Sequence, residues 1–277
     1  RSEVAYSVEQ ALEIAEGLGY PVVLRPAYTM GGAGGGLVYN KEELSSVYYY
    51  KDAVLKELQN IKSIPKSAID FKKLNIYTNL DIDVQKSLEN NINNEMKNTT
   101  LQVASIVIEP SNGKVVALIG GKDYSKSQFN RATNSKRQVG STIKPLLYYN
   151  ALENGFTASS TFLSERTTFN LGNETYSPRN ANNIYANQNI TMLAAIAYSD
   201  NIYAMKTHLF LGEDTLVNTL KTAGLEEKVE AVPSLALGAT EINMLDYAEA
   251  YTTLASSGEK RDLYFIDRIE DSEGHIL

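Results

Sequence analysis

Apolar positions fall on a helical stripe near the start of the chain. Val8, Ala11, Leu12, Ala15 and Leu18 recur at helical intervals behind a Ser7–Gln10 capping pattern, and Gly17 and Gly19 stop the run. The period then shortens. Residues 20–26 and 37–40 are short β-type runs on either side of a glycine-rich loop, which predicts a strand–loop–strand hairpin. A glycine loop lets backbone amides approach a phosphate, but no Lys-Ser/Thr follows Gly36, and Leu37 stands where a dinucleotide fingerprint needs its last glycine.

From about residue 48 the character changes without any low-complexity linker. Val54, Leu55, Leu58 and Ile61 predict a helix closed before Pro65, and residues 74–81 read as a strand followed by a cap. Val84, Leu88, Ile92 and Met96 then mark the apolar face of a long polar helix. Residues 103–108 and 115–121 predict a hairpin turning at 110–113, with both strands apolar enough to be central. Further on, residues 146–152 and 190–198 predict apolar helices. The second runs through Ser199, Asp200 and Asn201 into another apolar run at 202–205.

Composition narrows the chemistry. The 277 residues include no cysteine and two histidines, which excludes disulfide scaffolds, thiolate metal sites and cysteine nucleophiles and leaves little room for a Ser-His-Asp triad. A formal net charge of −7 gives no basic footprint for nucleic acid or an anionic membrane. His208 and His275 have no ligand spacing, so no metal site is expected. No apolar run approaches a membrane span. Arg1 opens the chain without a signal-like segment, so a fragment or processed chain is expected.

A serine followed three residues later by a lysine can be activated without histidine. On the first turn of a helix the two side chains share a face, and a lysine that has lost its proton can take the hydroxyl proton. Burial and nearby positive charge are expected to bring that lysine toward neutrality. The spacing occurs at Ser63, Ser111, Ser141 and Ser257. Pro65 interrupts the first, a hairpin turn holds the second and a polar loop the fourth. Only Ser141, with Lys144, heads an apolar helix, with Pro145 tolerated in the first turn. Read from the residues alone, Ser141 is either a helix cap or a nucleophile. Ser199-Asp200-Asn201 is likewise either a helix corner or a catalytic element.

Two resemblances bear on these alternatives. Residues 8–44, above all GYPVVLRPAYTMGGAGGGLVYNKEEL, resemble the ATP-grasp part of the carbamoyl phosphate synthetase large chain. This implies nucleotide contacts at Arg25, Gly31, Gly32, Gly34 and Gly35, with ATP and Mg as cofactors only if so small a segment functions; the family's metal-binding residues have no counterpart here. Residues 48–277, through NIYTNLDIDVQ, ASIVIEPSNGKVVALIGG, FNRAT, RQVGSTIKP, YSDN and SLALGATEINMLDYAEAY, resemble the transpeptidase region of class A penicillin-binding proteins.

The second resemblance implies an α/β (α+β) fold of the penicillin-binding, serine β-lactamase-like transpeptidase type, with an incomplete sheet and an ATP-grasp-like helix and hairpin in front. It implies an organisation of 1–46, an ATP-grasp-like fragment; 47–98, linking helices and a strand; and 99–277, the transpeptidase. It implies a serine acyltransferase without cofactor that cross-links D-Ala-D-Ala stem peptides of peptidoglycan outside the bacterial membrane and is acylated by β-lactams. Ser141 would be the nucleophile, Lys144 the base, Ser199 the proton relay and Asn201 the holder of the substrate amide. The Ser141 backbone N–H would be one oxyanion donor.

The family's third motif, Lys-Thr/Ser-Gly on a strand facing the serine, is not found. Lys221-Thr222-Ala223-Gly224 has one residue too many and lies before SLALGATE, whereas the family places its motif after it. Truncation ahead of that strand, without the family's membrane anchor, is therefore expected to impair activity. An inert chimeric chain, or ATP binding by the first segment, remains the alternative.

Overall fold

The computed structural model describes residues 10, 13–15, 17, 22–24, 36–38, 41–64, 74–172, 174–271 and 273–277. They divide into two compact units, Arg1–Ser135 with Ala255–Leu277, and Lys136–Leu254. Every sheet formed by the described residues is two-stranded, so the sheet is incomplete.

In the first unit, β1 (Val22–Leu24) and β2 (Gly36–Val38) form the expected antiparallel hairpin, paired only with each other. Helix α1 (Lys41–Asn60) follows and runs unbroken through the place where the sequence changes character. Its tyrosines tie it down: Tyr50 Oη donates to Val115 O at 2.6 Å, and Tyr49 Oη to Ser127 O at 2.6 Å. Glu57 accepts from the backbone N–H of Phe265 at 2.7 Å. Strand β3 (Leu74–Thr78) pairs antiparallel with β12 (Ile266–Asp271).

Helix α2 (Ile82–Glu95) is capped by the Asp81 carboxylate, which accepts from Asp83 and Val84 N–H. Lys122 Nζ donates to Met96 O and Thr99 O just beyond its other end. The hairpin of β4 (Ser105–Glu109) and β5 (Lys114–Ile119) turns on Gly113, whose φ of +82° suits glycine. Contrary to the sequence expectation, neither strand is central in a larger sheet among the described residues and only β5 is buried: its last five residues are buried, whereas β4 is half-buried. The fully buried Gln85 side chain accounts for part of this. It donates to Leu118 O and accepts from Leu118 N, so a side chain occupies that edge of β5.

The second unit is built on helices. After α3 (Arg131–Asn134), which closes the first unit, and β6 (Lys136–Gln138), a 3-10 turn at Gly140–Ile143 leads into α4 (Lys144–Glu153). Strand β7 (Thr161–Ser164) pairs with β10 (Gln188–Thr191), and β8 (Phe169–Leu171) with β9 (Glu174–Tyr176). Helices α5 (Met192–Tyr198), α6 (Asn201–Leu211) and α7 (Glu213–Thr222) follow, then a second 3-10 turn at Pro233–Leu237. Strand β11 (Glu241–Asn243) pairs with β6 and leads into α8 (Met244–Ala255).

Ile143, Leu146, Leu147 and Ala151 from α4 and its entry turn meet Tyr203, Ala204 and Met205 of α6 and Leu216 and Leu220 of α7 in one core. Helix α6 is buried on nearly all sides, so residues at its N-terminal end are held by the core itself. Helix α5 begins two residues later than the apolar run 190–198 suggested, and although apolar it leaves Leu193, Ile196 and Tyr198 exposed.

Candidate active site

The turn carrying Ser141 is fixed from both sides by backbone. Val139 N–H donates to Thr240 O at 3.2 Å and Gly140 N–H to Gly238 O at 3.0 Å. Gly140 and Gly238 both have positive φ, +56° and +68°, and a Cβ on Gly238 would run into the Gly140 backbone. Ser141 lies inside the 3-10 turn rather than on the first α-turn expected from sequence, and its carbonyl accepts from Lys144 N–H. In 3-10 geometry residues three apart eclipse, which aligns the two side chains more closely than an α-turn does. Pro145 occupies the start of α4, where no N–H is required. Ser141 is exposed and Lys144 is 4% exposed.

Lys144 Nζ donates to three acceptors: Asn201 Oδ1 at 2.6 Å, Ser199 O at 2.7 Å and Ser199 Oγ at 3.0 Å. The structure thus brings Lys144, Ser199 and Asn201 together and places Ser141 one turn before Lys144. The Ser141 hydroxyl is not among the lysine's hydrogen-bond partners. Ser199 reaches the lysine with both carbonyl and hydroxyl because it caps α5 in the left-handed region, φ 52° and ψ 46°, a conformation that costs a non-glycine residue about 1–3 kcal/mol.

Burial pulls the Lys144 ammonium down from the usual lysine range to about 8, while the charge of Asp200 pushes it back up. This corrects one sequence expectation, since no neighbouring cation contributes to the lowering.

Asp200 was passed over in the sequence as a small polar residue between helices. It is 5% exposed and caps α6 by accepting from Tyr203 N–H at 2.8 Å. Its Oδ2 accepts from Ser164 Oγ at 2.5 Å and from Asn180 Nδ2 at 2.7 Å. Asn180 Oδ1 accepts from Asn201 N–H at 2.8 Å, and Asn201 Nδ2 donates to Arg179 O at 2.6 Å. Neither Ser164 nor the Arg179–Asn180 segment was singled out from sequence. The one signal available was Pro178 with an amide-bearing side chain two residues on in a loop.

The remaining candidates separate from this site. Lys221 and Thr222 end α7. His208 is buried with Nε2 at 3.2 Å from Val232 O, and His275 pairs with Asp271. No group of metal-ligating side chains occurs among the described residues. Arg25, Gly31, Gly32, Gly34 and Gly35 lie outside the described residues. No helix of the described residues is long and apolar enough to cross a membrane.

With this geometry in place, comparison with known proteins is informative. A family model described as the penicillin binding protein transpeptidase domain matches residues 103–276, and one described as the carbamoyl-phosphate synthase L chain, ATP binding domain, matches residues 1–106. Penicillin-binding protein 2D of Bacillus subtilis is 44% identical over 232 residues, covering 83% of this chain and 34% of that protein. Penicillin-binding protein 1B of Haemophilus influenzae is 30% identical over 213 residues, covering 73% of this chain and 27% of its own length. The chain therefore spans about a third or less of these relatives.

Among solved structures, penicillin-binding protein 1A from Haemophilus influenzae superposes with a TM-score of 0.59 at 32% identity over 64% of this chain and 26% of that one. The penicillin-binding protein PonA1 from Mycobacterium tuberculosis gives 0.74 at 21% identity, over 84% of this chain and 63% of that one.

Proposed function

The chain belongs to the penicillin-binding protein transpeptidase family, and from that premise we propose that it is a serine D,D-transpeptidase acting on D-Ala-D-Ala stem peptides in peptidoglycan cross-linking. The observation that carries the proposal is the buried Lys144 ammonium, brought to about 8 and ringed by Ser199 and Asn201 one turn from Ser141.

At pH 7 about a tenth of such a lysine is free amine. A neutral amine keeps two N–H donors and gains a lone pair, so one of the three contacts must reverse. Only the Ser199 hydroxyl can do so, because it both donates and accepts, whereas the Ser199 carbonyl and the Asn201 amide oxygen only accept. That makes Ser199 the relay.

Once the Ser199 hydroxyl turns back to accept from Lys144, the freed lone pair takes the Ser141 proton as Oγ bonds to the carbonyl carbon of the penultimate D-Ala. The Ser141 backbone N–H donates to the developing oxyanion. As the C–N bond breaks, the proton passes from Lys144 through Ser199 to the amine of the departing D-Ala. An amine of a second stem peptide, or water, then attacks the acyl-serine and gives its proton back along the same path. A β-lactam acylates the same serine and stays. One Asn201 Nδ2 hydrogen is committed to Arg179 O, which leaves the other for a substrate carbonyl.

We place this chemistry on the outer face of the bacterial membrane. We expect it to be slow in these 277 residues, which contain no Lys-Thr/Ser-Gly triplet. Each missing oxyanion donor costs ~100- to 1,000-fold. For the first segment we propose no activity of its own, so Mg-ATP is expected to leave the thermal midpoint unchanged.

Fluorescent penicillin, followed by peptide mass spectrometry, tests the function. Label on Ser141, lost in Ser141→Ala and reduced ~100- to 10,000-fold in rate in Lys144→Ala, is the expected result. Label elsewhere overturns the proposal. So does absence of label both here and in a version extended by a Lys-Thr-Gly strand.

A further inference from the structure

The Ser199–Asn201 segment is held from outside its own helices. Ser164, fully buried at the end of β7, and Asn180, in the loop before β10, donate to the same carboxylate oxygen of Asp200. Asn180 also receives the Asn201 N–H, and its neighbour Arg179 receives the Asn201 side-chain amide. A single amide side chain thus pairs with two consecutive residues of the segment that faces Lys144. It offers a donor to the one that needs an acceptor filled and an acceptor to the one with a free N–H.

We propose that Ser164 and Asn180 are positioning residues for the lysine–serine pair: they anchor the Asp200 carboxylate and the Asn201 backbone so that Ser199 O, Ser199 Oγ and Asn201 Oδ1 converge on Lys144 Nζ. Their importance for catalysis rests on the function proposed above, whereas their effect on Lys144 does not.

The physical reason is electrostatic as well as geometric. Asp200 acts on Lys144 by charge, and the dipoles of Ser164, Asn180 and the Tyr203 N–H oppose its field. The titratable groups that share this environment are Lys144 and Tyr148 on α4 and Tyr203 on α6; burial, Tyr203 and Asp200 together push the Tyr148 phenol up. Removing either anchor leaves the Asp200 carboxylate less compensated, and its stronger field favours the charged ammonium. Lys144 should therefore titrate at higher pH.

The test is competitive labelling of Lys144 with trace acetic anhydride across pH in the full chain, read by peptide mass spectrometry, which needs no catalytic activity. In the unaltered chain Lys144 should titrate near 8. Asn180→Ala and Ser164→Ala should each raise that value by about one unit, which lowers reactive Lys144 at pH 8 about fivefold. Asn180→Asp keeps the shape but sets a second carboxylate against Asp200. It should shift Lys144 at least as far, whereas a merely space-filling role predicts no shift.

Should Asn180→Ala fail to fold, Ser164→Ala, which removes one hydroxyl and leaves the loop intact, decides alone. Unchanged titration in the folded variants overturns the positioning role, as does an unaltered chain whose Lys144 titrates like an ordinary lysine. Loss of penicillin labelling with these shifts intact counts against the proposed function and leaves the positioning role standing.

Discussion

Lys144 sits where its charge is unwelcome, and this ties stability and chemistry to the same proton. In the folded chain it titrates near 8, against the 10.5 of a free lysine. Between those values the unfolded chain binds more protons, so the lysine's contribution to stability rises with pH from about 8 to about 10.5 and is flat outside that window. The stability difference between the unaltered chain and Lys144→Met, followed by urea unfolding, should climb over that range. Acylation should instead follow the free amine, its acid limb centred near 8, levelling off while stability still climbs, and absent in the variant. Ser199 shows a related conflict, since its left-handed backbone is what brings two oxygens to the lysine. Ser199→Gly should leave the unfolding free energy equal or up to about 1 kcal/mol higher, yet slow acylation ~100-fold by removing the relay. At this scale the sequence was legible where spacing carries meaning. Ser141 with Lys144 could be paired because helical periodicity fixes which residues share a turn, and Ser199 with Asn201 could be singled out because two apolar runs bracket their polar triplet. Asp200, Ser164 and Asn180 could not, because their bonds span 36 and 20 positions with no period to connect them.

Elements tell the same story one level up. The apolar runs that became α4 and α6 were readable because each is long and bounded by a proline or a polar triplet. The hairpin of β4 and β5 was readable too, but the rank of its strands was not: Gln85, a polar residue distant in sequence, occupies an edge of β5 and β4 stays half-exposed. What presents Ser141 is likewise a meeting of two separate turns, with Gly238 against Gly140. A Cβ on Gly238 has backbone in its way as well as a positive φ, whereas one on Gly140 meets open space and only the positive φ. Gly238→Ala should therefore cost about 2–4 kcal/mol and displace the Ser141 turn. Gly140→Ala should cost about 1 kcal/mol. Thermal unfolding of the two variants checks the order, and equal losses would show that the contact between the turns does not hold the serine.

At the scale of the whole molecule, two family matches overlap at residues 103–106, where β4 begins, and helix α1 runs unbroken past residue 46. Its second half is built into the first unit: Tyr49 and Tyr50 are 2% exposed and Leu58 not at all, while Lys56 donates to Thr133 O and Glu57 accepts from the start of β12. The β1–β2 hairpin, by contrast, pairs only with itself among the described residues. Composition could show that sequence character changes near residue 48. It could not show that the residues just after the change are core, because their partners, Val115, Ser127 and Phe265, lie 65 to 215 positions away. Truncating a large buried side chain costs about 3–5 kcal/mol, and a whole domain holds about 5–15 kcal/mol. A chain beginning at Lys41 should therefore keep slow amide exchange in β5 and β12. One beginning at Ile61 loses the two tyrosines, Leu58 and the Glu57 carboxylate together and should exchange there as an unfolded chain does. If both truncations protect β5 and β12 equally, α1 is an appendage and the boundary belongs after it; if both lose protection, the first forty residues are as much a part of this unit as the tyrosines are.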